Sequence, residues 1–147
     1  MSEAVRIEPA TRASLGDLAM VMVQAFSTEG TNAYLFDLNR SAAWRARHRT
    51  ALVEVRWLFE NHNHVLTARL GDDVVGGAIL CVNPCPPRFR RGMFGLRWLA
   101  SGLPLMKFIR LRRVPGVMRA VRLSEPPPQP CHTLSAIAVH PDRQGQG

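Results

Sequence analysis

A single domain of the α/β (α+β) class, with a mixed, mostly antiparallel sheet flanked by helices, is the fold this 147-residue sequence predicts. Three observations point to it. Residues 65–70 and 74–82 are β-rich runs either side of Gly71-Asp72-Asp73, the pattern of a tight hairpin. Leu15, Leu18, Ala19, Met22, Ala25 and Phe26 recur at spacings of three and four, which lays one apolar stripe along a helix. Leu134, Ile137 and Val139 close the chain in an apolar run that reads as a buried strand.

Bulk composition bounds the rest. The length supports one domain with a real core and is too short to argue for two. Hydrophobic content of 46% with 20% charged residues is that of a globular protein and not of a disordered one. The formal charge is +8, and Lys107 is the only lysine among 19 basic residues. Arginine suits planar contact with phosphate or carboxylate, although codon composition enriches it equally well. Residues 88–122 carry ten basic side chains and no acidic one, a block that draws nucleic acid, a membrane surface or an anionic ligand. No nucleic-acid-binding fingerprint accompanies it, so no nucleic-acid partner is expected.

Cys81, Cys85 and Cys131 are an odd set without disulfide spacing and read as reduced thiols. A zinc site could be drawn from Cys81, Cys85, Cys131 and His132, but paired ligand spacing is missing and no metal is expected. The first residues have no apolar signal region, which makes the cytoplasm the expected location. Residues 92–109 are apolar, yet Arg97, Lys107 and Pro104 interrupt them, so no membrane span is expected.

Taken in order, Val5-Arg6-Ile7-Glu8-Pro9 alternates as a first strand. Thr11 or Ser14 caps the helix that follows, and Ser14-x-x-Asp17 resembles a capping box. Residues 27–40 read as a loop carrying Tyr34 and Phe36, either walls of a substrate pocket or apolar anchors for the loop. Ser41 is positioned to cap a second helix reaching about Asn61, buried through Trp44, Leu52, Val55, Leu58 and Phe59. Gly76-Gly77 inside the second hairpin strand predicts a bulge or the close approach of another backbone. Residues 83–131 form a basic, helical, proline-bounded insertion, divided by Pro104 and Pro115. His140-Pro141-Asp142 ends the last strand, and Arg143-Gln144-Gly145-Gln146-Gly147 is a basic, glycine-spaced loop of the kind that presents backbone N–H groups to phosphate.

This order of elements resembles the first half of the GNAT superfamily of acetyl-CoA-dependent N-acetyltransferases. Residues 134–147 carry the likeness, because Gln144, Gly145, Gln146 and Gly147 match the first four positions of the family's Gln/Arg-x-x-Gly-x-Gly/Ala loop. The resemblance implies transfer of an acetyl group from acetyl-CoA, as cosubstrate, to a primary amine on a small molecule or peptide. It implies that the edge of Ile137, Ala138 and Val139 pairs with the pantetheine arm, and that the N–H groups of residues 144–147 face the pyrophosphate. His132 and Ser135 are the candidate bases, and Tyr34 and Phe36 the candidate acceptor walls. Only about two-thirds of the family's domain is covered. The reading is therefore of an incomplete domain lacking the later helix and strands, with no useful acetyl transfer alone and a last strand open to self-association.

Two other readings stay open. One is a non-catalytic protein that binds anions or a membrane surface through the helices of residues 88–122. The other is a half-domain completed by a partner chain along the open strand.

Overall fold

The Gly71-Asp72 turn joins two strands that form the middle of a four-stranded sheet. The computed structural model describes residues 4–27, 29–38, 40–61, 64–82, 88–123 and 132–145. In chain order the strands are β1 (Arg6–Pro9), β2 (His64–Leu70), β3 (Asp73–Val82) and β4 (His132–Val139). They lie side by side as β1-β2-β3-β4, and all three pairings are antiparallel. The helices are α1 (Leu15–Ala25), α2 (Gly30–Leu35), α3 (Ser41–Glu60), α4 (Arg88–Gly102) and α5 (Val114–Leu123), with 3-10 turns at Leu103–Phe108, Leu111–Arg113 and Pro141–Arg143.

Helix α1 is the piece that covers the sheet. Leu15, Leu18, Ala19, Val21, Met22 and Val23 are buried in it, and they pack with Val65, Ile79 and Ala138 from three strands. The fit at Gly77 is tight. A Cβ there would stand 2.5 Å from Leu18 Cδ1 and 2.5 Å from the Leu66 carbonyl oxygen. Close approach is thus one of the two roles predicted for the glycine pair. The bulge is present as well, one residue earlier: Ala68 pairs Gly76 while Arg69 pairs Val74, which leaves Val75 as the extra residue.

Of the two caps offered for α1, Thr11 holds the role, and the Asp17 box and the Ser41 cap do not form. Ser14 precedes α1 but does not cap it, since its hydroxyl donates to the Thr11 carbonyl and accepts from the Thr11 N–H. Thr11 Oγ1 in turn accepts from the Ser14 N–H. The reciprocal pair is a capping box one turn upstream, with Ser14 in the place of its usual Glu and Asp17 outside it. Ser41 is already helical, and Arg40 holds the cap position of α3 without a side-chain bond.

Helix α3 lays the expected stripe of Trp44, Leu52, Val55, Leu58 and Phe59 against the core and carries further buried small residues. Its buried residues are Ala43, Ala46, Thr50, Ala51 and Val55, while Trp44, Leu52, Leu58 and Phe59 are only half-buried around them. Ala51 and Val55 join the core cluster with α1 and the large residues pack against it, while Thr50 donates to the Ser101 carbonyl of α4 at 3.4 Å. Helix α4 then docks on α3 from outside. Trp57 and Phe94 meet with ring centroids 4.5 Å apart, and Trp98 Nε1 donates to Glu54 Oε1 at 2.7 Å.

The last strand is not buried as its apolar run predicts. It is the sheet's edge, and Ile137 and Val139 are 62% and 42% exposed while Ala138 between them is 3% exposed. Pairing explains this. Ala138 lies opposite Gly77 on the α1 face, whereas Val139, Gly76, Ala68 and Ile7 form a row across the other face. Leu134, Ile137, Val139 and Ile7 are all exposed there. A strand apolar on both faces reads as buried, but only one face is covered here by a described element.

Leu18, fully buried at the α1–sheet contact, sets a clear expectation. Leu18→Ala lowers stability by about 2–5 kcal/mol through lost burial and the cavity left behind. Gly77→Ala lowers it by roughly 1–3 kcal/mol, because the new methyl meets backbone that cannot move aside. Urea unfolding followed by circular dichroism reads both as a lower midpoint at unchanged slope.

Candidate functional site

The outer edge of β4 and the turn after it form the most developed polar surface that the sheet offers. The His140 N–H donates to the Val75 carbonyl at 2.8 Å, which makes Val139–Gly76 a non-hydrogen-bonded pair. By alternation the N–H and C=O groups of Val139 and Ile137 point away from β3, to the side where no described strand pairs. Ser135 is a second bulge: Ile79 pairs Ala136 and Leu80 pairs Leu134, so Ser135 opposes nothing on β3.

Past Val139 the chain turns sharply. His140 has extended backbone, as expected before Pro141, and residues 141–143 make one 3-10 turn. The Asp142 N–H donates to His140 Nδ1 at 3.3 Å and caps that turn. Gln144 then folds back, and its Nε2 donates to the Val139 carbonyl oxygen at 3.0 Å. Gly145 follows at φ +75, a left-handed conformation that side chains disfavour, and nothing lies within 4 Å of where its Cβ would be. Gln144 and Gly145 are exposed, while Gln146 and Gly147 lie outside the described residues.

The structure thus brings Ile137, Val139, Gln144 and Gly145 together at one end of β4, with Ala138 turned into the core. The candidate bases lie elsewhere along the strand. His132 begins β4 opposite Val82, about 23 Å along the strand from Val139. Ser135 is exposed at its bulge, about 13 Å from Val139.

Tyr34 and Phe36 belong to a different arrangement. The segment read as a loop contains α2, and arginines hold its C-terminal end. Arg110 donates to the Ala33 carbonyl at 3.2 Å, and Arg113 donates to the Tyr34 carbonyl at 3.1 Å. The Arg113 guanidinium also lies 4.8 Å from the Tyr34 ring centroid. Phe36 forms a β-bridge with Ile109, supported by Asp37 N–H to Phe108 C=O at 3.0 Å and Arg110 N–H to Leu35 C=O at 2.8 Å. Two of the arginines in the basic block are therefore engaged on helix-end carbonyls, where cations also complement the helix dipole.

On the α1 side of the turn is a cleft of about 610 Å³ lined by Asp17, Asp72, Asp73, Asp142, His140 and Arg143. Four carboxylates against one guanidinium draw cations there and repel phosphate. The sequence reading took Asp72 and Asp73 only as turn residues. Among the described residues, no group of three or more His, Cys, Asp or Glu is arranged to hold a metal ion. Among those residues also, no helix is long and apolar enough to cross a membrane. No protein-family model matches the chain, and a search of curated proteins finds no match.

The α2 clamp has a measurable signature. Arg113→Ala removes a hydrogen bond and a cation–π contact, so the Phe36 and Asp37 amides exchange with solvent roughly tenfold faster. The unfolding midpoint changes little, because the clamp lies outside the α1–sheet core.

Proposed function

We propose that β4 and the turn after it are the cofactor arm of an acetyl-CoA-dependent N-acetyltransferase. The observation that carries the reading is the outward-facing main chain of Ile137 and Val139, which runs straight into a turn ending in Gln144 and a left-handed Gly145. Pantetheine contains two amides, and an extended arm laid along this edge pairs with Ile137 as an added strand would. The Val139 carbonyl becomes available when Gln144 releases it. Backbone N–H groups of the glycine-spaced loop from Gln144 onward are the donors proposed for the pyrophosphate.

The chemistry is direct transfer. A base takes one proton from the acceptor ammonium, and the neutral nitrogen attacks the thioester carbonyl carbon. The C–N bond forms, the C–S bond breaks, and the departing CoA thiolate takes up a proton. Of the two candidate bases, Ser135 is the nearer to the turn, and His132 stands at the far end of the strand. Tyr34 and Phe36, held by the arginine clamp, supply a rigid wall for an acceptor amine.

Titration of the ¹⁵N-labelled chain with acetyl-CoA tests this. The Ile137, Val139, Gln144 and Gly145 amides shift together, with affinity weaker than micromolar because an existing hydrogen bond must open first. Unmoved amides at millimolar acetyl-CoA, or shifts confined to other elements, remove the reading.

A second reading, attachment to an anionic membrane surface, is favoured by one observation on α4 and the 3-10 turn that follows it. Leu96, Leu99, Leu103 and Met106 are all more than half exposed at spacings of three and four. Exposed Arg97, Lys107 and Arg112 accompany them, and residues 88–122 contain no acidic side chain. An apolar stripe bordered by cations suits the headgroup boundary of an acidic bilayer. Sedimentation with phosphatidylglycerol-containing vesicles is expected to carry the chain down, and Leu96→Gln with Leu99→Gln to abolish it. Equal sedimentation of that variant excludes the reading.

A further inference from the structure

A cavity of about 810 Å³ opens between the start of α1, the second half of α3 and α4, and its lining includes Arg12, Arg56, Trp57, Glu60, Phe94 and Arg97. It does not include β4 or the turn after it. The size is that of a small-molecule site. Its floor is aromatic, since Trp57 and Phe94 pack against each other with their planes tilted by 30°.

The charge at this cavity is unbalanced. Three guanidiniums, from Arg12 just before α1, Arg56 on α3 and Arg97 on α4, stand against one carboxylate, Glu60. Among the described residues, none of the three arginines makes an ion pair; the basic partners found are Arg47, Arg69 and His140. Arg47 and Glu54 on α3 neutralise each other nearby, so the excess stays with Arg12, Arg56 and Arg97. Unpaired guanidiniums beside an aromatic floor define the kind of occupant the cavity suits.

The geometry points to this cavity as a binding site for an aromatic carboxylate. The carboxylate is taken by Arg56 and Arg97, whose planar forks match its two oxygens, and Arg12 adds charge from the α1 side. The ligand's ring stacks at an offset or edge-on against Trp57 and Phe94. A neutral aromatic gains the stacking alone, and a small inorganic anion gains the charge alone. The site is separate from the proposed acetyl-CoA arm and stands whether or not that arm binds its cofactor.

Isothermal titration with 2-naphthoate tests the assignment, with 2-naphthylmethanol as the neutral probe of the same shape. Expected is saturable binding of one naphthoate per chain. It weakens at least tenfold in Arg56→Ala/Arg97→Ala, is at least tenfold weaker for the alcohol, and is unchanged in Arg45→Ala. The last variant removes an exposed cation outside the cavity, so an equal loss there means that net charge alone attracts the probe and overturns the site. Absence of saturation, or equal affinity for the alcohol, overturns it too. Arg56 and Arg97 are exposed, so unfolding does not stand in for lost binding, and unchanged circular dichroism of the double variant verifies that.

Discussion

Leu18 resting on Gly77 is the contact from which the other distances follow. A side chain at position 77 would lift α1 off β3, and Ala138, opposite Gly77 on β4, would lose its cover from the same helix. The order of packing continues outward. Helix α3 packs on α1 through Ala51 and Val55, and α4 reaches α3 through Trp57, Phe94 and the Trp98–Glu54 bond. Each layer is placed by the layer beneath it, so a displacement at residue 77 is passed on through the stack.

Elements whose signals are local were legible in the sequence. The hairpin is specified by Gly71 and β-rich flanks, and α1 by a stripe with no competing period. Cap chemistry was less legible, since Ser14 has two acceptable partners and the Thr11 turn supplies the nearer one. The exposure of β4 could not be read either. Leu134, Ile137 and Val139 give the same pattern whether their face is covered or open, because coverage is a property of other elements. At the site, the edge and its turn were visible through Pro141 and Gly145. The Gln144 bond to Val139 was not, because a flexible amide five residues along has many carbonyls within reach. The three-arginine cavity was invisible for a plainer reason. Arg12, Arg56 and Arg97 are far apart in sequence, and only the stacking of α4 on α3 gathers them.

The basic composition takes on distinct meanings once the residues are placed. Arg110 and Arg113 end up on carbonyls of α2, Arg69 on Glu8 across the β1–β2 pair, and Arg47 on Glu54. These are structural uses, and such pairs in solvent are individually weak. What remains is a smaller set of cations with no acidic partner, and that set informs on ligands more than the net charge does.

The Val75 bulge interrupts the β2–β3 ladder, and the Ser135 bulge interrupts the β3–β4 ladder near its middle. An antiparallel ladder without irregularities has many equivalent alignments, differing by sliding one strand along the other by two residues. Here the Val75 carbonyl receives the His140 N–H, and Ser135 interrupts pairing at a fixed distance from it. A slid strand would carry Ser135 out of step with β3 and take His140 away from its acceptor. The ladder therefore works like a rule with a catch at one end and a notch partway along: only one setting engages both. That single setting keeps Ile137 and Val139 facing outward.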